Sequence, residues 1–333
     1  MSVPDGSGAQ RTVRVGVLGC ADIAWRRTLP AIAAEPRTRL VAVASRDGAK
    51  ARRFTDRFGG EPVTGYERLL DRTDLDAVYI PLPSGMHARW TVAVLKSGRH
   101  ALVEKPLATC RAEADEMVAA ARAGGLVLME NLMFLHHSQH EAVRRMVTAG
   151  EIGELRSLSS SFGIPSLPAH DVRYRSELGG GALLDVGVYP LRAARLLLGP
   201  RLDPLGAVLR MDPALGVDVA GHVLLTTPRG VTAELSFGFE HFYRCSYELW
   251  GSAGRIVLDR AFTPPPALRP VIRLERQDHV QEFTLPADDQ YAAVLRSFAA
   301  SVLDGAEPLD GHDDVLGMSD LLDRVRTCAR RIP

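Results

Sequence analysis

Val13-Arg-Val-Gly-Val-Leu18, followed by Gly19-Cys20-Ala21-Asp22-Ile23-Ala24, is the stretch on which the fold turns. The first six residues form an apolar run of strand length, and the pattern after the turn predicts a helix over Ile23 to Glu35. The turn sits where a dinucleotide fingerprint, G-x-G-x-x-G, would lie, with alanine at the second and third glycine positions. The first glycine permits a tight turn. The small residues let backbone N–H groups and the helix N-terminus approach a pyrophosphate. Alanine at the second position departs from the pattern, so the turn alone does not separate a cofactor site from any βα turn. Arg26 follows at once, placed either to serve phosphates or to face solvent.

Outward from this start, strand and helix patterns alternate. Leu40 to Ser45 and Ala77 to Pro81 are apolar strand runs, and Arg99-His-Ala-Leu-Val-Glu104 and Val127 to Glu130 continue the series. Helical patterns lie between them at Gly48 to Phe58, Met86 to Ser97 and Ala112 to Ala123. Continuous apolar strands separated by amphipathic helices predict a parallel sheet covered on both faces. The fold class expected is therefore α/β, with a dinucleotide-binding domain over residues 1–131.

The character changes near Asn131. Strand patterns then follow one another: Leu155 to Phe162, Gly206 to Arg210, Val217 to Thr226, Val231 to Phe239, Tyr243 to Trp250, Arg255 to Leu258, Val271 to Glu275 and Gln281 to Leu285. Several alternate in polarity, as a one-sided antiparallel sheet requires. Thr227-Pro-Arg-Gly230 and Gly251-Ser-Ala-Gly254 read as turns. Helices are expected near Gln290 to Leu303 and Asp313 to Arg330. Residues 132–333 are thus expected to form an α+β domain with a large, mainly antiparallel, open sheet. Helices cover one side of it, and a second subunit can cover the other, as a homodimer or homotetramer.

Composition bounds the function classes. The 333 residues are 46% hydrophobic and 24% charged, with 40 basic and 40 acidic side chains. No charged tail or patch stands out, so neither nucleic acid nor a membrane surface is an expected partner. Met1 to Gln10 is small and polar, and disorder is expected there. The run Val13 to Cys20 is too short for a secretory core and contains Arg14, and a buried strand explains it better than a lipoprotein box. No apolar stretch approaches a transmembrane length. The four cysteines (Cys20, Cys110, Cys245, Cys328) have no metal or redox spacing. No metal is expected, and a reducing cytoplasm is the simplest setting.

The end of the second strand speaks to the cofactor. An acid there would bind the adenosine 2′-hydroxyl of NAD. Here Ser45-Arg46 offers a hydroxyl and a guanidinium, which suit a 2′-phosphate. Asp47 comes one residue late and reads as a helix cap. NADP(H) is the cofactor expected.

Two further segments carry chemistry. Glu104-Lys105-Pro106 closes a strand, where ligands gather in an α/β sheet. A lysine there can give a proton to a sugar oxygen, and the proline can make the Lys105–Pro106 bond cis. Gly179-Gly-Gly-Ala-Leu-Leu-Asp185-Val-Gly-Val-Tyr189-Pro190 joins a glycine cluster to a helix. The glycines allow close approach of backbone to a ligand. The helix puts Asp185 and Tyr189 on one face.

On the turn Gly19 to Ala24, on Glu104-Lys105-Pro106 and on Asp185-x-x-x-Tyr189, the chain resembles the glucose-fructose oxidoreductase / inositol dehydrogenase / MocA family over essentially its full length. The resemblance implies a Rossmann domain plus a domain whose open sheet serves oligomerisation. It implies Lys105 as catalytic residue, with Asp185 at the family's aspartate position. Inositol dehydrogenases carry histidine where this chain has Tyr189, and the sugar oxidoreductases carry tyrosine, which argues for a pyranose ketone. Within the family the chain is similar to actinomycete sugar 3-ketoreductases. Those act on dTDP-linked 3,4-diketo-2,6-dideoxyhexoses in deoxysugar pathways of antibiotics, including that of kijanose. This implies reduction at sugar carbon 3 to dTDP-4-keto-2,6-dideoxyglucose.

The residues agree with a ketone reductase. The carbonyl oxygen gains negative charge as hydride arrives at carbon, and it needs a proton. A lysine beside a phenol can lower the phenol's pKa and stabilise the alkoxide. Tyr189 is taken as donor and Lys105 as its electrostatic partner, with the reverse assignment open. Asp185 orients Lys105 or the sugar hydroxyls. The expected cofactor-binding set is Gly19, Cys20, Ala21, Asp22, Ile23, Ala24, Arg26, Ser45, Arg46, Tyr66, Leu82, His87, Glu104 and Lys105. For the dTDP-linked keto-sugar, the segment Gly163 to Ser176 supplies His170, Arg173 and Arg175 to meet phosphates, and Asp171 belongs to the substrate-binding set. Tyr174 or Phe162 would stack on thymine, and Tyr247 and Glu248 would face the pocket. Asp185 and Tyr189 belong to the same set. Two other classes stay open: a free-sugar or polyol dehydrogenase using the same residues, and a non-catalytic dinucleotide or sugar sensor of the same fold.

Overall fold

The computed structural model describes residues 11–333. The disorder expected of Met1 to Gln10 lies outside the described residues. The first half is a six-stranded parallel sheet built from β1 (Val13–Leu18), β2 (Thr38–Ser45), β3 (Glu61–Thr64), β4 (Ala77–Ile80), β5 (His100–Glu104) and β6 (Leu128–Asn131). Its order is β3-β2-β1-β4-β5-β6, so the winding reverses between β1 and β4. Ligands of doubly wound sheets bind outside the carboxyl ends of the strands at that reversal. Helices α1 (Leu29–Ala34), α2 (Gly48–Phe58), α3 (Tyr66–Leu70), α4 (His87–Lys96) and α5 (Arg111–Gly124) make the crossovers.

The strands form as their composition requires. β4 is buried at all four positions, and β5 at all but its first. Such strands are covered by helices on both sides. Ahead of α1 the chain makes a π-helical turn over Ala24–Thr28. Single π turns concentrate at functional sites. The edge strand β3 and the short α3 escaped the sequence reading. β3 is polar and mostly exposed, so it carries no apolar signal.

The second half opens with α6 (Ser138–Thr148), also unread in the sequence, then β7 (Leu155–Gly163) and α7 (Val188–Leu198). Strands β8 (Asp203–Asp212), β9 (Val217–Thr226), β10 (Thr232–Gly238), β11 (Arg244–Gly251), β12 (Arg255–Asp259), β13 (Val271–Arg276) and β14 (His279–Thr284) follow. Helices α8 (Gln290–Asp304) and α9 (His312–Cys328) precede a last strand, β15 (Ala329–Ile332). The nine-stranded order is β14-β13-β12-β11-β7-β10-β9-β8-β15. Pairing is antiparallel except between β7 and β10 and between β8 and β15. The helix expected to run to Arg330 therefore stops at Cys328, and the chain end joins the sheet edge.

One face of this sheet is covered, with α7 over β7 and β10 and α9 against β8. On β11, Cys245, Tyr247 and Leu249 are buried on that face, while Trp250 on the other is exposed. Both expected turns are present, closed by Gly230 N–H to Thr227 C=O (2.9 Å) and Gly251 N–H to Gly254 C=O (2.8 Å). No helix among the described residues is long and apolar enough to cross a membrane.

Candidate active site

The carboxyl ends of β1, β2, β4 and β5 converge on one crevice. Gly19 leaves β1 at φ +124°, a conformation in which a side chain is strained, and a Cβ there would meet Leu82 Cδ2 at 2.8 Å. The β1 and β4 turns are thus drawn against each other, and the small residues Gly19, Cys20 and Ala21 keep the helix start open. Burial pushes the Cys20 thiol up to about 11, so it stays protonated at neutral pH.

At the end of β2, Ser45 Oγ accepts the Asp47 N–H at 3.1 Å. Asp47 caps α2 by accepting the Ala49 and Lys50 N–H groups at 2.8 and 3.4 Å. It behaves as the cap expected of it, with Oδ1 engaged by the helix start. Arg46 is exposed beside Tyr66. Burial raises the Tyr66 phenol, and the Arg46 charge opposes the rise. A hydroxyl, a guanidinium and a phenol at this strand end, with the one nearby acid engaged, fit a 2′-phosphate.

The other end of the crevice holds Lys105, the first residue past β5, followed by a cis Lys105–Pro106 bond. Its Nζ donates to Asp185 Oδ1 and to the Asp185 carbonyl, both at 2.7 Å. Asp185 lies in a second π-helical turn, Leu183–Gly187, which runs into α7, and Tyr189 is in the first turn of α7. Arg173 Nε donates to the other carboxylate oxygen at 2.8 Å, and Asp171 in turn holds Arg173 at 3.1 Å. The row Asp171–Arg173–Asp185–Lys105 joins the two halves of the chain. Burial pushes the Asp185 carboxyl upward, but the charges of Lys105 and Arg173 outweigh it and hold the group below its ordinary value. Both partners can therefore act on a carboxylate that stays ionised.

Tyr189 is 4% exposed. The Lys105 ammonium stands over its ring, 5.2 Å from the centroid, and the hydroxyl lies 3.9 Å from Met133 Sδ. The expectation that lysine lowers this phenol is not met in this arrangement. Burial dominates and raises it well above its ordinary value, and the cation faces the π system rather than the oxygen.

Several expected ligand contacts are occupied instead by the protein. Glu104 accepts from Tyr79 Oη and Asn131 Nδ2, each at 2.6 Å, in a fully packed site. His87 is 0% exposed, with ring nitrogens 2.7 Å from the Leu82 carbonyl and 2.8 Å from the Pro106 carbonyl. Both residues therefore brace the turns that carry Leu82 and Lys105. Arg26 pairs with Asp22 at 2.6 Å on the exposed side of the first helical turn. Tyr174 is buried edge-on against Phe239, and Phe162 edge-on against Tyr189, so neither offers a free face to a base. Arg175 pairs with Glu177 in the exposed part of its loop.

Tyr247 and Glu248 are neighbours on β11 and point to opposite faces, as strand geometry demands. Tyr247 bonds His140 Nδ1 at 3.0 Å inside the core, while Glu248 meets Arg255 at 3.1 Å on the open face. The glycine cluster approaches protein backbone: a Cβ on Gly179 would strike the Gly85 N at 2.6 Å, and one on Gly180 the Arg173 carbonyl at 2.5 Å.

Sequence reading missed Tyr79, whose hydroxyl also reaches Thr28 Oγ1 at 2.9 Å, its partner Asn131 on the Glu104 carboxylate, and Asp218, which accepts the Leu183 N–H at 2.6 Å. Tyr79 and Asp218 were visible as polar side chains inside apolar strand runs. Thr28 in a helical turn and Asn131 at a strand end carried no such mark, because polar residues are ordinary at both places.

The model of the oxidoreductase family with an NAD-binding Rossmann fold, GFO/IDH/MocA, matches residues 13–132, and the GFO/IDH/MocA C-terminal domain matches residues 140–257. The chain is 55% identical over 320 residues to a dTDP-3,4-didehydro-2,6-dideoxy-alpha-D-glucose 3-reductase of Actinomadura kijaniata, covering 96% of both chains. A reductase of the same description from Streptomyces antibioticus is 53% identical, over 96% of this chain and 97% of that one. Among solved structures, KijD10, a 3-ketoreductase from Actinomadura kijaniata in complex with NADP and TDP-benzene, superposes with a TM-score of 0.95 at 55% identity, over 97% of this chain and 99% of that one. With the crevice at Gly19, the Lys105–Asp185 pair and the nine-stranded sheet all in one chain, the protein belongs to the GFO/IDH/MocA oxidoreductase family.

Proposed function

We propose that this protein reduces the C-3 ketone of a dTDP-3,4-diketo-2,6-dideoxyhexose to dTDP-4-keto-2,6-dideoxyglucose, in deoxysugar biosynthesis for antibiotics, with NADPH as reductant. The observation that carries the reading is the 2.7 Å Lys105–Asp185 pair, with Tyr189 beneath it, at the carboxyl end of β5. It agrees with the reductases of that description that this chain matches over nearly its full length. Residues 1–131 serve as the cofactor domain and residues 132–333 as the substrate and oligomerisation domain.

NADPH supplies hydride to the ketone carbon when bound. Gly19, Cys20 and Ala21 give the pyrophosphate close backbone approach, and Ser45, Arg46 and Tyr66 hold the 2′-phosphate. Lys105 stabilises negative charge on the ketone oxygen, and Tyr189 delivers the proton. Asp185 holds the ammonium in place and accepts from sugar hydroxyls. Arg173, shared by Asp171 and Asp185, is the cation offered to a diphosphate beside the reacting end.

A homodimer or homotetramer forms through the open face of the nine-stranded sheet, where Trp250 is 61% exposed. Four free cysteines suit a reducing cytoplasm. The direct test is NADPH consumption with the diketo-sugar, alongside calorimetry of dTDP in the presence of NADP. Absence of dTDP affinity rejects the nucleotide-sugar assignment, and faster turnover of free hexoses replaces it with a free-sugar dehydrogenase.

A further inference from the structure

Asp218 is an acid inside the apolar run Val217-Asp-Val-Ala of β9. On this strand His222 and Leu224 are exposed on the open face of the sheet. Simple alternation would place Asp218 on that face as well. The register prevents it. Arg210 of β8 pairs with Ala220 and Met211 with Asp218, so Val219 is an extra residue and β9 bulges there. A one-residue bulge transfers the following side chain to the other face.

Asp218 is thereby turned towards α7 and the segment that leads into it. Its Oδ2 accepts the Leu183 N–H at 2.6 Å, at the first residue of the π-helical turn Leu183–Gly187. Gly181 completes the junction. It has φ +116°, its carbonyl accepts the Asp185 N–H at 3.1 Å, and a Cβ on it would collide with Asp218 Oδ1. An N–H at the start of a helical segment has no partner within the segment, and a carboxylate supplies one. Asp185 follows two residues after Leu183, and Tyr189 six.

We infer that Asp218 is a positioning residue of the reductase site: aimed by the β9 bulge, it fixes the start of the turn that presents Asp185 to Lys105 and Tyr189 to the substrate. The inference rests on the functional reading above, in which those three residues do the chemistry. Asp218 touches none of them and acts through the backbone of Leu183. Burial raises its carboxyl, as it does for a group enclosed by protein, and the Leu183 hydrogen bond opposes the rise.

The test uses the full-length enzyme with Asp218→Ala, Asp218→Asn, Asp218→Ser and Gly181→Ala. Misplacing a reacting group by about 1 Å costs about a hundredfold in rate. Asp218→Ala is expected to lower kcat by about ten- to a hundredfold. The NADPH dissociation constant, read by calorimetry, stays within about twofold, because the cofactor crevice lies in the other half. Asp218→Asn keeps an oxygen acceptor and recovers most of the loss. Gly181→Ala presses on the same contact from the other side but also strains its own backbone at φ +116°, so it supports rather than decides. Asp218→Ser, whose shorter hydroxyl loses the Leu183 contact, decides the matter if Asp218→Ala does not fold, with kcat expected to fall about tenfold and unchanged kcat overturning the inference. Unchanged kcat in Asp218→Ala, an asparagine variant as poor as the alanine one, or parallel loss of NADPH binding overturns the inference. A wild type without turnover on the diketo-sugar overturns the functional reading itself, and is told apart by that control.

Discussion

Replacing Lys105 by methionine keeps a long, flexible side chain and removes the charge that joins the two halves of the site. Lys105 and Asp185 are 14% and 17% exposed at their side chains and 2.7 Å apart, so solvent screens them little. Truncating one partner of a buried pair costs about 3–5 kcal/mol. Asp185 keeps Arg173 at 2.8 Å, so the carboxylate is not stranded and the cost falls to about 2–3 kcal/mol. Over a chain of 333 residues that is a fall in Tm of about 3–5 °C. The loss has a pH signature. Asp185 is held below its ordinary value in the folded state, so its stabilisation is present above the unfolded carboxylate pKa and lost as pH falls through the folded one. The Tm gap between wild type and Lys105→Met is therefore full at neutral pH and narrows below about pH 4. Turnover loses both the cation at the developing alkoxide and any proton it carries, a fall of about two to four orders of magnitude in kcat. The assay is NADPH absorbance decay with the diketo-sugar, paired with thermal melts from acid to neutral pH. Turnover within about threefold of wild type refutes the catalytic assignment, since loss of the cation alone is expected to cost about a hundredfold. A Tm gap independent of pH refutes the account of the Lys105–Asp185 pair.

Tyr189→Phe is expected to cut kcat by about two to four orders of magnitude while NADPH affinity is retained, measured by steady-state kinetics and calorimetry. Arg46→Ala, alone or with Ser45→Ala, raises the Michaelis constant for NADPH about tenfold or more and leaves that for NADH nearly unchanged, and equal effects remove the 2′-phosphate assignment. Arg173→Ala weakens dTDP binding in calorimetry about tenfold with NADP present, and unaltered affinity moves the diphosphate elsewhere. Asp310 is 1% exposed, and burial pushes its carboxyl up to about 7, with the Arg192 charge opposing. A carboxyl raised in the folded state contributes stability below its unfolded value that is lost as pH rises through the folded one. Asp310→Asn therefore flattens the decline in Tm between about pH 4 and 7, and an unchanged slope counts against the assignment.

Much of the architecture was legible because it is written in local periodicity. Continuous apolar strands at Val13–Leu18, Ala77–Ile80 and His100–Glu104 can only be buried on both faces. What escaped was structure with little apolar signal: the polar edge strand Glu61–Thr64 and the chain end Ala329–Ile332, which pair because a neighbour offers an edge. Lys105, Asp185 and Tyr189 were found from short motifs and do converge. The aromatic candidates Phe162 and Tyr174 were chosen by residue type, and type does not say whether a ring face is free.

The sequence by itself determined the βα turn at Gly19, the Ser45–Arg46 pair at the end of the second strand and the strand-end lysine, since these depend on contiguous residues and the strands that hold them. Tertiary structure alone decided which polar groups are taken up by the protein itself. Glu104 and His87 sit beside the site in sequence, yet adjacent strands and turns claim their polar atoms. Tyr247 and Glu248 are separated by the pleat, and Asp218 is turned inward by one extra residue in β9. Side-chain direction in a sheet depends on register and pairing, and those are set by strands far away in sequence, such as β7 and β11 where Gly163 pairs with Arg244, as much as by the strand itself.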